Sequence, residues 1–229
     1  MGLQSIVDIC DSIEINRRKM VGIQFTRNEL PRSTETPSYN PWRLTLTVPA
    51  RLRYSDSRQI LETIDTLDRR TPETVTFGTL GSWMFGYQGS LTAIQRSNVT
   101  FNSFVGNQLV LNVTGVTGAT STSTVLAQGD FIQVSGYPYP FTSTTTVLKG
   151  TGSTVTITTH RPNILTSVPS NGTPMRFGSD VIFNMFCPNM PTYKLLPGGS
   201  KYGSGGVLIN NAYVQWSDNF VLHEWVASA

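Results

Sequence analysis

The chain has 229 residues, of which 14% are charged and 38% hydrophobic, and a formal net charge of +3. That balance excludes the charge-rich, core-poor composition of a disordered chain, and the length suits one large β domain or a domain carrying a smaller inserted one. The basic residues are unevenly placed: Arg17, Arg18, Lys19, Arg27, Arg32, Arg43, Arg51 and Arg53 share one stretch with only Glu29 and Glu35, whereas charge is sparse from Gly78 onward. A surface built from that later part has little charge to keep copies apart, which favours a subunit packed among neighbours.

Leu3 to Ile13 predicts a short amphipathic helix, with Leu3, Ile6, Val7 and Cys10 on one face. Met20 to Thr26 reads as a strand, and so does "WRLTLTV", where Trp42, Leu44, Leu46 and Val48 point one way and Arg43, Thr45 and Thr47 the other. Between them Asn28 to Pro41 holds three prolines and polar residues, the composition of a long loop, for which binding is the usual reason. The clearest helix spans residues 56–70: Asp56 caps it, Gln59 completes a capping box, Ile60, Leu61, Ile64 and Leu67 form its apolar stripe, and Pro72 stops it. "ETVTFG" begins a return strand, so that the helix covers one face of a sheet.

After Gly78 the pattern becomes short strands at regular spacing, in "SWMFGYQG", "QLVLNVTGV", "DFIQVSG", "STVTITTH", "DVIFNMFC", "AYVQWS" and "FVLHEWV". Residues 107–173, rich in Thr, Ser and Gly, read as a β module inserted into a domain made of 1–106 and 174–229. The last two strands predict a hairpin turning at Ser217 to Asn219. The fold class is therefore mainly β with one or two helices, α+β, a sandwich or barrel with a flanking helix.

Enzyme signatures are scarce. His160 and His223 have no H-E-x-x-H, C-x-x-C or nucleophile-elbow context, and no metal or cofactor set emerges. Asp56, Glu62, Asp65 and Asp68 on one helix read as a solvated face. "LPGGSKYGSGG", from Leu196 to Gly206, lacks the spacing of a phosphate loop and reads as a flexible loop. Cys10 and Cys187 form no disulfide framework and read as unpaired, buried residues. The sequons at Asn98, Asn112 and Asn171 are what a Thr-rich chain produces by chance. With no signal-like N-terminus and no membrane-spanning run, a soluble chain made in a cytoplasm is expected.

The basic stretch has no recognition helix and too little net charge for a dedicated nucleic-acid binder. The reading preferred here is a subunit interface in which Arg17, Arg18, Lys19, Arg27, Arg32, Arg51 and Arg53 meet carboxylates of an adjacent subunit.

Taken in order, "SIEINRRKMVGIQFTRNE", "NPWRLTLTVP", "RQILETIDTLDRRTPETVTF", "GDFIQVSGYPYPFTSTTTVLKGTGSTVTITTHRPN", "DVIFNMFCPNMPTYKLLPGGS" and "VQWSDNFVLHEW" resemble structural tail proteins of tailed bacteriophages, of the tail-tube-like and distal-tail class at the baseplate end. The resemblance implies a non-enzymatic virion protein without cofactors, assembled as a hexameric ring around a channel through which DNA passes without specific binding. It implies that other tail tube, hub or sheath proteins are partners, that Asn28 to Pro41 reaches a neighbouring subunit, and that 107–173 faces the tube's outside, where baseplate or sheath proteins attach. The added module sets the chain apart from a plain tube subunit and favours a tube initiator or distal tail ring. A head-to-tail connector or tail terminator is a second placement. From another class, the alternative is a carbohydrate-binding β-sandwich with Trp83, Tyr87, Tyr137 or Tyr139 as stacking platforms.

Overall fold

The computed structural model describes residues 2–16, 21–25, 31–35, 41–49, 52–66, 71–78, 82–163, 167–196, 201–202, 208–209 and 212–225. The first half runs α1 (Gly2–Ile9), β1 (Ser12–Asn16), β2 (Val21–Phe25), β3 (Pro31–Glu35), β4 (Arg43–Thr47), β5 (Leu52–Arg53), α2 (Tyr54–Asp65), β6 (Glu73–Val75), α3 (Ser82–Phe85), α4 (Ala93–Ser97), β7 (Thr100–Val105) and β8 (Gln108–Asn112). The second half is all strand apart from one 3-10 turn: β9 (Thr124–Leu126), β10 (Phe131–Val134), β11 (Phe141–Thr142), β12 (Val147–Leu148), β13 (Thr154–Thr158), β14 (Met175–Phe177), β15 (Phe183–Phe186), β16 (Tyr193–Leu196), β17 (Lys201–Tyr202), β18 (Leu208–Ile209), β19 (Tyr213–Trp216) and β20 (Phe220–Glu224). The chain is thus mainly β with a few helices, in several antiparallel sheets without a closed barrel. Among the described residues no helix is long and apolar enough to cross a membrane.

The contacts divide the chain into two compact units. The first is built from Met1–Asn16, Trp42–Val75 and Asn184–Trp225. Its main sheet has the order β1-β4-β20-β15-β6. Strict alternation in β4 and β20 decides its two faces: Leu44, Leu46, Phe220 and Leu222 are fully buried, while Thr45, Val221 and His223 are half-buried and Arg43 is exposed. Each such buried Leu or Phe stabilises the fold by about 1.5–3 kcal/mol. α1 buries Leu3, Ile6 and Val7 and packs on β6 and α2, its amide at Leu3 donating to the Glu73 carboxylate at 3.1 Å.

α2 begins at Tyr54 and is capped at Thr66. Its N-cap is Arg53, with no side-chain cap bond, in place of the expected Asp56. The reason is tertiary: β5 pairs with β19, placing Arg53 opposite Tyr213, and the Tyr54 amide donates to the Ala212 carbonyl at 2.9 Å, so the chain enters the helix straight from a strand. Ser57, Leu61 and Ile64 face inward, at helical spacing. The expected hairpin of the last two strands does not form. β19 pairs with β16 and β5, whereas β20 pairs with β4 and β15, so the turn at 217–219 carries the chain from one sheet to another.

The second unit takes in Thr76–Phe183, grouped with the segment Arg17–Pro41. Residues 107–173 lie inside it, and its core also draws Leu91, Val99, Phe101, Met175 and Phe177 from outside that span. Three-stranded sheets β13-β8-β7 and β11-β10-β14 face this core beside the pair β12-β9. Register matches apolar to apolar, Val155 opposite Leu111 and Ile157 opposite Leu109. Single bridges from Thr100 to Pro174 and from Ser143 to Thr159 link the sheet edges. Arg161, 1% exposed, donates from a terminal guanidinium nitrogen to the Pro140 carbonyl at 2.8 Å and lies over the Tyr139 and Phe141 rings.

"SWMFGYQG" is not the strand it resembles. Its first half is the helical turn α3, which delivers Phe85 to a cluster with Phe77, Phe131 and Phe183, the Phe77 and Phe85 ring centroids 4.4 Å apart. Its second half is tied down by Asp130, whose carboxylate accepts the Gln88 amide at 2.9 Å and the Ala127 amide at 2.9 Å.

Candidate functional site

Five of the seven residues expected at a subunit interface, Arg17, Arg18, Lys19, Arg27 and Arg51, lie outside the described residues. Arg32 stands on β3 opposite Gln24, and Arg53 is exposed on β5. These two strands share no sheet.

Around Arg32 the local architecture is a two-stranded ribbon. β2 and β3 pair along their whole length, from Val21 opposite Glu35 to Phe25 opposite Pro31, and neither strand has another partner among the described residues. Five residues of the stretch expected as a long loop, Asn28 to Pro41, are therefore strand. Thr34 opposite Gly22 is the β-branched residue of β3, and Pro31 sits at the strand's first position, one of the few where a strand tolerates proline. In the same way the glycine-rich stretch from Leu196 to Gly206 contains β17, which pairs with β18 through Lys201 opposite Ile209 and Tyr202 opposite Leu208. The neighbouring pair β16 and β19 leaves Leu195 and Leu196 nearly half exposed, at 47% and 44%.

On the outward face of the main sheet of the first unit, register sets Asn16, Arg43, His223 and Phe186 in one row across β1, β4, β20 and β15. Arg43 and His223, with Val221, form the floor of a hollow of about 450 Å³. Its rims are the connector 188–192 and the turn 217–219, tied together by the Ser217 amide donating to the Thr192 carbonyl at 2.8 Å and by the contact of their hydroxyls at 3.2 Å. Burial, and secondarily the Arg43 charge, hold the His223 imidazole below its ordinary pKa. Its ring also packs against Phe186, 5.8 Å between centroids. Asp218 on the rim accepts the Asn219 amide at 2.7 Å with one carboxylate oxygen. Alternation in the sequence turns Arg43 away from the core and His223 lies in no motif, but their pairing depends on strands far apart in the chain.

The remaining polar candidates serve structure. His160 accepts the Thr142 amide through Nδ1 at 3.0 Å. Cys10 and Cys187 are buried thiols, not joined in a disulfide, and burial pushes the Cys10 thiol upward in pKa. Among the described residues no group of three or more His, Cys, Asp or Glu gathers as a metal would require. Tyr137 and Tyr139, at 4% and 0% exposed, are core residues with no face free for a sugar ring. Tyr87 is half-buried, its hydroxyl donating to the Val125 carbonyl at 2.8 Å and its ring covered by the Arg96 guanidinium at 4.4 Å. The Trp83 side chain lies outside what the structure describes.

Compared with known protein families and with curated protein sequences, the chain matches none.

Proposed function

We propose that this chain is a structural subunit of a bacteriophage tail, a ring at the baseplate end that nucleates or caps the tail tube around the DNA channel and docks neighbouring tail proteins. The observation that carries the reading is the ribbon of β2 and β3, whose strands pair only with each other among the described residues. A two-stranded ribbon is marginal in water and gains stability from a third strand or an apolar surface. Val21, Ile23 and Phe25 alternate along β2 with Gly22 and Gln24, so one side of that strand is apolar by sequence, and Arg17, Arg18, Lys19 and Arg27 flank it in the chain. In a homo-oligomer such a ribbon is completed by the adjacent subunit, and the flanking arginines fork onto that subunit's carboxylates.

Two further features support an assembly. The second ribbon, β17 with β18, again pairs only with itself among the described residues, and exposed Leu195 and Leu196 lie beside it in sequence. A closed ring would cover such edges, which in a free monomer invite strand addition. The helix-backed sheet of the first unit is the part compatible with a tube-like subunit, and residues 107–173, within the second unit, are the added module available to hub or sheath proteins. DNA would cross the lumen without specific binding, because arginines that lined a channel would hold it by counterion release.

The test is electron microscopy of the purified protein and of the native particle bearing it. Rings with six-fold symmetry, located at the baseplate end, are the expected result. A monodisperse monomer at every concentration, absent from any virion, would refute the reading.

A further inference from the structure

The hollow on the outward sheet face of the first unit carries an inference independent of the ring reading. Its floor presents the Arg43 guanidinium, and no carboxylate among the described residues forms an ion pair with it. His223, directly opposite Arg43 across β4 and β20, feels that charge. A guanidinium and a neutral imidazole are thus fixed side by side at the bottom of a recess, where an anion would meet the charge of the first and an N–H of the second. The one acid on the rim, Asp218, is turned onto the Asn219 amide.

The remaining walls narrow the choice of anion. Pro188, Met190, Pro191 and Val221 line the recess, so an occupant gains by burying an apolar body against them as well as by meeting the guanidinium. The volume of about 450 Å³ is within the ordinary range for small-molecule sites, about 300–1,000 Å³. A planar carboxylate matches the arginine fork, whereas a phosphate dianion would find no second cation and little use for apolar walls.

We propose that this hollow is a carboxylate-binding pocket, taking a carboxylate carried on a short aliphatic body, with Arg43 as the fork and His223 as the second donor. The same chemistry is offered by a free aliphatic acid and by a glutamate side chain of a polypeptide.

The experiment is titration of the full chain, with isotope-labelled histidine imidazoles observed by NMR. Butyrate is expected to shift the His223 signals saturably and butyramide to leave them unmoved. Phosphate at the same concentration is expected not to displace butyrate. R43Q should weaken butyrate binding about tenfold or more and R43K by less, since lysine keeps the charge and loses the fork. A blocked tripeptide centred on glutamate separates the sources: binding tighter than butyrate points to a polypeptide, weaker binding to a free acid, and either supports the pocket. Equal responses to butyrate and butyramide, displacement by phosphate, or unchanged butyrate affinity in R43Q would each overturn the proposal. If R43Q fails to fold, judged by its methyl spectrum, the butyrate, butyramide and phosphate arms on the native chain decide alone.

Discussion

Gly178 lies so close to the backbone of Tyr87 that a β-carbon built on it would stand 2.6 Å from the Tyr87 amide nitrogen and 2.9 Å from the Phe85 carbonyl oxygen. Its φ of +57° is also one that side chains rarely adopt. Both neighbours are backbone, so neither yields by changing a rotamer. G178A is therefore expected to destabilise the second unit by about 2 kcal/mol or more, combining strain with displacement of the segment after α3. Urea unfolding followed by near-ultraviolet circular dichroism, which reports the aromatic cluster around Phe85, measures it.

Asp130, 2% exposed, accepts backbone amides from Gln88 and Ala127 on its two carboxylate oxygens. D130N replaces one of those oxygens with an NH2 group facing an N–H, and the expected loss at neutral pH is about 1–3 kcal/mol. The native aspartate also has a pH signature. Burial raises its pKa above the ordinary value, and the amide hydrogen bonds offset only part of that rise. The folded chain therefore holds this proton more firmly than the unfolded chain, so its contribution is greatest below about pH 4 and declines as pH rises through the elevated value. Denaturation midpoints across that window should show the decline in the native chain and not in D130N.

His223 gives the opposite sign. Its pKa is lowered, chiefly by burial and then by Arg43, so the fold prefers the neutral ring. The stability linked to this group is complete above about pH 6.5 and is lost as pH falls through the depressed value, because the unfolded chain takes up a proton that the folded chain resists. H223Q should flatten that part of the stability profile, as seen in denaturation midpoints collected in half-unit steps. A profile unchanged by the substitution would show that the ring is not held neutral by its surroundings.

The interface reading makes a prediction about the basic cluster. Replacing Arg17, Arg18 and Lys19 together with alanine should block assembly while the monomer keeps its native circular dichroism. Sedimentation of the variant beside the native chain checks it, and normal assembly would count against the role assigned to those residues.

Several local features were legible because they depend on neighbours in sequence. The alternation in "WRLTLTV" puts Leu44 and Leu46 inside and Arg43 outside, and the apolar spacing of α1 and of Leu61 and Ile64 in α2 is the spacing buried in the fold. Aromatic-rich "SWMFGYQG" misled for a physical reason. Strand propensity records how well a residue fits a pleated surface, and Phe85 instead fills a cluster made by Phe77, Phe131 and Phe183, residues from elsewhere in the chain. The prolines and glycines of the Asn28–Pro41 and Leu196–Gly206 stretches suggested loops, yet β3 and β17 lie within them because a partner strand follows or precedes at short range.

By itself the sequence determined that the chain is mainly β, which faces of its strands and helices are apolar, and that charge is concentrated in one early stretch. Those properties follow from periodicity and composition, which act over a few residues. Tertiary structure alone decided that β19 and β20 separate into different sheets, that β5 leads directly into α2, and that Arg43 meets His223 at the floor of one hollow. Backbone hydrogen bonding is indifferent to side-chain identity, so the choice of partner strand, and with it every cross-strand pair, is settled by how the buried faces pack together.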